Sequence, residues 1–289
     1  MTVFGADSEE IEIVSQEDAT PNRKQRKVTT LRLQEMKSAG EKISALTAYD
    51  FLTAQLIDEA GIDLILVGDS ASMVFAGNDT TLPMKMDEML YHVKVVTKAV
   101  RRALVVADMP FMTYHRGMDE ALLNAGNLMQ EGMAEAVKLE GGVHVKETVR
   151  RIVQAGIPVL GHIGLRPQFI HSYGTYRARG SGKGEAEQIF QDAKVLQDSG
   201  AFGIVIEKVP AGLARRITDS LQIPTIGIGA GPYCDGQILV TPDMLGITTE
   251  FRPRFVRRYA ELAEGMDKAF EAYRQDVKES NFPKEEESY

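Results

Sequence analysis

One unit recurs along most of this chain: a short apolar strand, then a polar or glycine-rich loop, then an amphipathic helix. The candidate strands read ISALTA, LILVGD, ALVVAD, AVKLEG, PVLGHIG, FGIVIE and PTIGIGAG, with a weaker eighth at GQILV. Helical periodicity lies between several of them, for example in MDEMLYHVKVVTKAVRR and KETVRRIVQAG. Strands that alternate with helices pair in parallel through right-handed crossovers. The repeated unit predicts a closed (β/α)8 barrel, with an open doubly wound sheet as the alternative.

The two ends of the chain differ from this repeating region. Residues 1–25 are polar and charged without a sustained period, which predicts a mobile tail. We expect a short helix near Val28–Ser38, the barrel over residues 26–265, and the end of a C-terminal helix with a polar tail over residues 266–289. The length of 289 residues suits a single α/β barrel, which needs about 250 residues, although two domains would also fit.

Composition limits the classes of partner. The net charge of −8 argues against general nucleic-acid binding. No apolar run approaches the roughly 18 residues of a membrane span, and the first residues lack the basic start and apolar core of a secretory signal. The single cysteine, Cys234, excludes an intramolecular disulfide and fits a reducing compartment. We therefore expect a cytoplasmic protein that meets small anionic substrates with local positive groups.

Polar side chains gather at the ends of five candidate strands. They are Asp69 with Ser70, Asp108, Glu140, His162 and Glu207. In the stretch AVKLEGG, Lys138 and Glu140 lie two residues apart and therefore share one face of a strand. Because the carboxyl ends of barrel strands meet at one rim, where active sites are built, we expect these side chains to line one mouth.

Each of these residues also has a purely structural interpretation. The two aspartates could cap the next helix or make turns. Lys138 and Glu140 could simply pair with each other, and His162 could be a satisfied core histidine. Glu207 could pair with the adjacent Lys208. Their coincidence at strand ends favours a site, because several charges buried near one mouth are costly unless they pair or bind a metal.

The acidic residues at these strand ends are hard oxygen ligands, which suit Mg²⁺ or a similar divalent ion. The five histidines show no zinc-type spacing, and one cysteine argues against a thiolate site. Mg²⁺ usually keeps waters and binds through few carboxylates plus substrate oxygens. An α-keto acid offers two such oxygens, and a lysine could then steady its carboxylate and any enolate charge.

Two loop motifs have open interpretations. GIGAGPYCDGQ, from Gly227, could cradle a phosphate or could be a plain tight turn. HSYGTYRARGSGKGEAE, from His171 to Glu187, mixes aromatic residues, arginines and glycines. It could be a mobile lid over an anionic ligand or only an exposed basic loop.

Several stretches of the chain resemble the ketopantoate hydroxymethyltransferase family. They are TAYDFLTAQLIDEAGIDLILVGDS, TLPM, VADMPFMTY, VKLEGG, PVLGHIGLRPQ and IPTIGIGAGPYCDGQILV, in order from about Thr29 to Leu262. The resemblance implies a barrel of the phosphoenolpyruvate/pyruvate type, usually assembled as a homodecamer. It also implies transfer of the one-carbon unit of 5,10-methylenetetrahydrofolate to 3-methyl-2-oxobutanoate, which gives 2-dehydropantoate for pantothenate synthesis.

Motif positions within this resemblance imply residue roles. Glu207 would be the catalytic proton acceptor. One Mg²⁺ ion per subunit would be bound by Asp69, Asp108 and Glu140. The substrate would be bound by Asp69, Ser70, Asp108, Lys138 and His162.

The chain departs from the family pattern at three places. Asn78 stands where histidine is common, Arg166 replaces a threonine, and YGTYRARG replaces a GGYK-like core. These loop changes bear on folate contacts and on lid behaviour.

Three rival functions remain open: a Mg²⁺-dependent α-keto-acid lyase or mutase on the same barrel, a phosphate-binding barrel isomerase that uses GIGAG, and a non-catalytic binding or assembly protein. Folate dependence separates the first rival from the transferase.

Overall fold

The strands of the computed structural model form a closed parallel barrel, in which the eighth strand pairs with the first. The structure describes residues 26–249 and 253–289, so the tail predicted for residues 1–25 lies outside the described residues. The strands are β1 Ile43–Thr47, β2 Leu64–Val67, β3 Leu104–Asp108, β4 Ala136–Glu140, β5 Val159–Gly164, β6 Gly203–Glu207, β7 Thr225–Ile228 and β8 Gly236–Leu239. The predicted (β/α)8 barrel is therefore confirmed, including its weak eighth strand, and the open sheet is excluded.

Helices follow most of the strands. They are α1 Thr30–Ala39, α2 Phe51–Glu59, α3 Ala71–Val74, α4 Met86–Ala99, α5 Met118–Gln130, α6 Lys146–Gln154, α7 Ile170–Tyr173, α8 Lys183–Asp198, α9 Ala211–Ser220, α10 Thr241–Met244 and α11 Leu262–Lys278. None of these described helices combines the length and the apolar character needed to cross a membrane. The boundary expected at residues 265 and 266 falls inside α11, and the division into a barrel and tails stays a prediction.

Local sequence signals explain where the helices begin. The Asp50 carboxylate accepts a hydrogen bond from the Thr53 backbone N–H at 2.9 Å, which caps the start of α2. At α4, the Glu88 carboxylate accepts from the Lys85 backbone N–H at 2.8 Å. Acidic side chains in a first turn also favour the positive end of the helix dipole. These two hydrogen bonds fix the residues at which α2 and α4 begin.

The alternation of side chains along each strand separates two apolar layers. Ala136 belongs to the layer inside the barrel, whereas Val137 and Leu139 pack in the layer between the sheet and the helices. Because side chains two residues apart share a face, Lys138 and Glu140 continue the inner row of β4 toward its carboxyl end. The inner row thus changes from apolar to charged as it nears the mouth.

The end of β5 approaches the end of β6 closely at Gly164. This glycine has φ +91°, and a Cβ there would lie 2.2 Å from the Glu207 carbonyl oxygen. The same carbonyl accepts a hydrogen bond from the Leu165 N–H at 2.8 Å. Only a residue without a side chain fits this backbone conformation at this distance, so Gly164 helps to set the position of Glu207.

Candidate active site

A cavity of about 580 Å³ opens at the carboxyl ends of the strands. Its lining includes all seven residues that the sequence singled out: Asp69, Ser70, Asp108, Lys138, Glu140, His162 and Glu207. They arrive from the ends of five different strands, as expected for an active site of a (β/α)8 barrel. The barrel mouth is thus the candidate active site.

Lys138 pairs with Asp108 rather than with Glu140. Its Nζ lies 2.6 Å from Asp108 Oδ1, and the two side chains are only 4% and 2% exposed. The other Asp108 oxygen, Oδ2, accepts a hydrogen bond from the Asp69 backbone N–H at 3.2 Å. Burial opposes the charged form of Lys138, but the carboxylates of Asp108, Asp69 and Glu140 outweigh it and raise the pKa of this lysine. The site therefore holds a permanent buried ammonium group.

The Asp69 carboxylate is strongly disfavoured in its charged form. Burial first, and then the charge of Asp108, raise the pKa of Asp69 well above its ordinary value. Lys138 and a hydrogen bond from Gln168 act in the opposite direction. At Asp69, burial and the neighbouring negative charges therefore outweigh the stabilisation that Lys138 and Gln168 give to the carboxylate.

His162 lies between two glutamates. Its Nδ1 is 3.3 Å from Glu140 Oε1, and its Nε2 is 3.4 Å from Glu207 Oε2. Glu140 Oε1 and both ring nitrogens are buried without a hydrogen bond of good geometry among the described residues, so these are close ion-pair contacts. Burial and the ammonium of Lys138 lower the pKa of His162, but the two glutamates outweigh them and raise it to about 9. At neutral pH the ring is therefore a cation that links both carboxylates.

Two residues without a predicted role lie against the site. Gln168, in the loop after β5, donates from Nε2 to Asp69 Oδ2 at 2.9 Å. Tyr114, in the loop after β3, donates its hydroxyl proton to Gln168 Oε1 at 2.6 Å. Both belong to motifs that were quoted for the resemblance, and their position just after a strand was the signal that could have found them.

Glu207 does not pair with the adjacent Lys208. Lys208 donates from Nζ to the Tyr176 carbonyl at 2.7 Å, whereas the carboxylate of Glu207 faces His162. Tyr176 lines the cavity, so the segment from His171 to Glu187, for which a lid and an exposed basic loop were both open, does reach the mouth.

The residues that depart from the family pattern lie at different depths. Asn78 lines the cavity and donates to Ser72 Oγ at 3.2 Å. Arg166 instead stacks 3.9 Å above the Phe169 ring and donates from Nε to the Tyr173 hydroxyl at 2.7 Å. Arg166 therefore shapes the outer loop through aromatic contacts.

The glycine-rich segment after β7 is a tight turn. Gly229 and Gly231 have φ +62° and +80°, and the chain passes into β8 at Gly236 without an intervening helix. The phosphate-cradle interpretation needs a helix N-terminus at this point, and the described chain has none there. The turn interpretation is the one that the structure supports.

Solved structures with a similar fold come from enzymes of phosphonates and organic acids. A phosphonopyruvate hydrolase, solved in complex with oxalate and Mg²⁺, superposes with a TM-score of 0.58 at 13% identity and covers 89% of this chain and 92% of its own. A 2,3-dimethylmalate lyase, a member of the PEP mutase/isocitrate lyase superfamily, gives a TM-score of 0.57 at 15% identity and covers 87% of this chain and 88% of its own. These similarities concern the fold, and they confirm the predicted type of barrel.

Sequence relatives are much closer. The 3-methyl-2-oxobutanoate hydroxymethyltransferase of Chlorobaculum parvum is 54% identical over 266 residues, which cover 91% of this chain and 96% of that protein. The enzyme of the same name from Porphyromonas gingivalis is 57% identical over 264 residues, which cover 91% of this chain and 97% of that protein. The family model for ketopantoate hydroxymethyltransferase matches residues 27–285. The chain belongs to the ketopantoate hydroxymethyltransferase family.

Proposed function

We propose that this protein transfers the one-carbon unit of 5,10-methylenetetrahydrofolate to 3-methyl-2-oxobutanoate and so forms 2-dehydropantoate through an enolate of the keto acid. Membership of the family and the names of the relatives support the reaction. The observation that carries the residue assignment is the buried set of carboxylates, one ammonium and one imidazole that face a single cavity. A carbon acid needs a base, and its enolate needs positive charge, so both halves of the chemistry have candidate groups here.

The charges of the cavity support a divalent cation. Among the predicted site residues, the carboxylates of Asp69, Asp108, Glu140 and Glu207 face Lys138 and His162. The rest of the lining adds Asp79, Asp243 and Lys208, so carboxylates outnumber cationic side chains throughout the cavity. Buried negative charge in excess is costly, and a divalent ion would neutralise it. Among the described residues no group of three or more histidine, cysteine, aspartate or glutamate side chains is arranged to hold a metal ion by itself. Mg²⁺ commonly needs only one or two carboxylates, with substrate oxygens and waters completing its shell.

The residues fit such an ion in two ways. Asp69 and Asp108 are adjacent through the hydrogen bond from the Asp69 N–H, and both line the cavity. Glu140 Oε1 is buried and makes no hydrogen bond of good geometry among the described residues, only the 3.3 Å ion-pair contact with His162 Nδ1. A carboxylate oxygen has two lone pairs, so it could also bind the ion or one of its waters. A cation held by these residues would supply Lewis-acid polarisation of the keto group, which would make C3 of the substrate more acidic.

The side chains would then share the remaining work. Glu207, whose side chain is 15% exposed at the mouth, takes the proton from C3. Lys138 holds the negative charge of the enolate and the substrate carboxylate. Ser70, whose Oγ lies 2.8 Å from the Tyr49 hydroxyl, binds the keto acid. His162 keeps Glu207 directed into the cavity through its contact at 3.4 Å.

The outer part of the cavity suits the folate co-substrate. The small keto acid would occupy the charged floor, and the wall nearer the solvent includes Tyr176, Pro253, Phe255 and Val256. A flat pterin ring would pack favourably against such apolar and aromatic side chains. The carbon that leaves the folate would then lie between this wall and the enolate.

The experiment that tests the base compares Glu207→Gln with the wild-type protein. Formation of 2-dehydropantoate is measured with folate and Mg²⁺ each omitted in turn, and exchange of the C3 proton in D₂O is followed by NMR without folate. We expect Glu207→Gln to lower both rates by about 10²- to 10⁴-fold, the usual contribution of a general base, while the keto acid still binds in the presence of Mg²⁺.

The matched control is Glu147→Gln on the surface of α6, whose side chain is 56% exposed. It should leave both rates unchanged. Proton exchange that persists in Glu207→Gln would show that another group is the base. Turnover by the wild-type protein that needs Mg²⁺ but not folate would favour the lyase alternative.

Self-association is the second part of the proposal, with the homodecamer that the resemblance implies. Helix α11 has no buried residue. Apolar side chains recur on it every three or four residues and are 41% to 62% exposed: Leu262, Met266, Phe270, Tyr273 and Val277. Such a stripe on one helical face is typical of a protein interface.

We also propose a cytoplasmic location, with which the free buried thiol of Cys234 is consistent.

A further inference from the structure

Gln168 contacts two of the three carboxylates proposed for the cation site. Its side-chain Nε2 donates to Asp69 Oδ2 at 2.9 Å and also to the Met109 carbonyl at 3.0 Å. Its backbone N–H donates to Glu140 Oε2 at 3.1 Å. The residue is only 3% exposed, so these contacts are shielded from water. One residue of the loop after β5 therefore restrains carboxylates that come from β4 and from the end of β2.

The orientation of the Gln168 amide follows from its partners. Its Oε1 accepts from the Tyr114 hydroxyl at 2.6 Å, while both amide hydrogens face acceptors, one on Asp69 and one on Met109. A flipped amide would direct its oxygen at two acceptors and its hydrogens at the phenol, which leaves buried groups unpaired. The Tyr114 oxygen also accepts from the Glu140 backbone N–H at 3.2 Å. This hydrogen bond from Glu140, the last residue of β4, therefore holds the Tyr114 hydroxyl in place.

We infer that Gln168 is a positioning residue for the cation site. It holds Asp69 Oδ2 and Glu140 Oε2 by hydrogen bonds, so Asp69 Oδ1 is the free oxygen of its carboxylate and Glu140 Oε1 keeps only the 3.3 Å ion-pair contact with His162 among the described residues. Fixing one oxygen of a carboxylate directs the other, and groups that orient metal ligands in this way commonly govern metal affinity. Tyr114 supports this arrangement by setting the Gln168 amide and by accepting from the Glu140 backbone N–H. The inference rests on the proposed cation site and adds the residues that prepare it.

The test measures cation binding directly. Mn²⁺ is titrated into the folded protein in the presence of 3-methyl-2-oxobutanoate, and free Mn²⁺ is followed by electron paramagnetic resonance. We expect Gln168→Ala to raise the Kd of Mn²⁺ by about 10- to 100-fold, the effect typical of losing a group that orients a metal ligand. Tyr114→Phe keeps the ring and should raise it about fivefold, as for one ordinary hydrogen bond. The double variant should bind no more weakly than Gln168→Ala, because the two residues act as a unit.

A buried hydrogen bond at the far end of the barrel provides the control. Thr225→Val removes the contact of 2.8 Å with the Thr218 hydroxyl, so it should lower the melting temperature without changing the Kd of Mn²⁺. If Gln168→Ala does not fold, Gln168→Met, which keeps the length of the side chain and removes the amide, carries the test. Folded variants that bind Mn²⁺ within twofold of the wild-type protein would overturn the role of Gln168. Failure of the wild-type protein itself to bind Mn²⁺ would overturn the cation site of the proposed function.

Discussion

Replacement of Lys138 by methionine should destabilise the protein more than any substitution of a surface lysine. Lys138 Nζ lies 2.6 Å from Asp108 Oδ1, with both side chains at most 4% exposed. Methionine keeps the length of the apolar stem but removes the ammonium group. Asp108 would then be left as a buried charge beside Asp69, whose own charged form is already disfavoured. The loss of stability arises because the carboxylates of Asp108 and Asp69 remain buried without the ammonium group, rather than from the loss of the ion pair itself.

The magnitude follows from burial. Removal of one partner from a buried ion pair costs about 3–5 kcal/mol, whereas an exposed pair contributes about 0–1 kcal/mol. The matched control is Lys94→Met, because Lys94 Nζ lies 2.9 Å from Glu131 Oε2 and the side chains are 42% and 55% exposed. The two pairs differ little in distance and greatly in burial, so the difference between the variants isolates the effect of burial.

The assay is urea unfolding at pH 7 in EDTA, at one fixed protein concentration. The pKa of Lys138 lies above its ordinary value, so its contribution to stability is complete below the ordinary lysine pKa and is lost only as the pH rises through the folded-state pKa. The whole effect is therefore measurable at pH 7. We expect the free energy of unfolding to fall by about 3–5 kcal/mol in Lys138→Met and by less than about 1 kcal/mol in Lys94→Met.

Equal losses in the two variants would refute this reasoning. So would a double variant, Lys138→Met with Asp108→Asn, that is no more stable than Lys138→Met alone. In the double variant the uncompensated charge is gone, and most of the lost stability should return if charge burial is the cause.

Three further predictions concern the backbone, the serine and the helix stripe. Gly164→Ala should lower both melting temperature and turnover, because its Cβ would lie 2.2 Å from the Glu207 carbonyl oxygen; unchanged values would contradict this. Tyr49→Phe removes the partner 2.8 Å from Ser70 Oγ and should raise KM for the keto acid about fivefold with kcat kept, so a fall in kcat alone in steady-state kinetics would refute it. Phe270→Asp, in the middle of the α11 stripe, should lower the oligomer mass found by light scattering; an unchanged mass would show that α11 is not an interface.

The barrel and the composition of its mouth could be predicted from the sequence because both depend on local patterns. Apolar runs of strand length recur between amphipathic helices, and polar residues end five of these runs. Alternation then puts Lys138 and Glu140 on one face of β4 and the apolar Val137 and Leu139 on the other. Membership of the family was also recognisable, since its motifs lie in order along the chain.

The partners of these residues could not be predicted, because they depend on how neighbouring strands align. Lys138 could have paired with Glu140 in its own strand, but the register sets Asp108 of β3 beside it, and the ion pair forms across the two strands. The contacts of Gln168 likewise join a loop to two strand ends that are distant in the sequence. Single-strand patterns carry no information on either arrangement.

The charged side chains buried at the mouth lower the stability of the folded barrel, whereas the apolar side chains below them raise it. Below the mouth, the inner rows hold apolar side chains such as Ala136, Leu160 and Val205, whose burial stabilises the closed sheet. One step further along the same rows, Lys138 and His162 replace them and face buried carboxylates. A cation and an anionic keto acid that bind the folded state alone would offset this cost and raise the melting temperature as their concentrations increase. The buried charges that lower the stability of the folded protein are therefore the same charges that the proposed cation and keto acid would neutralise.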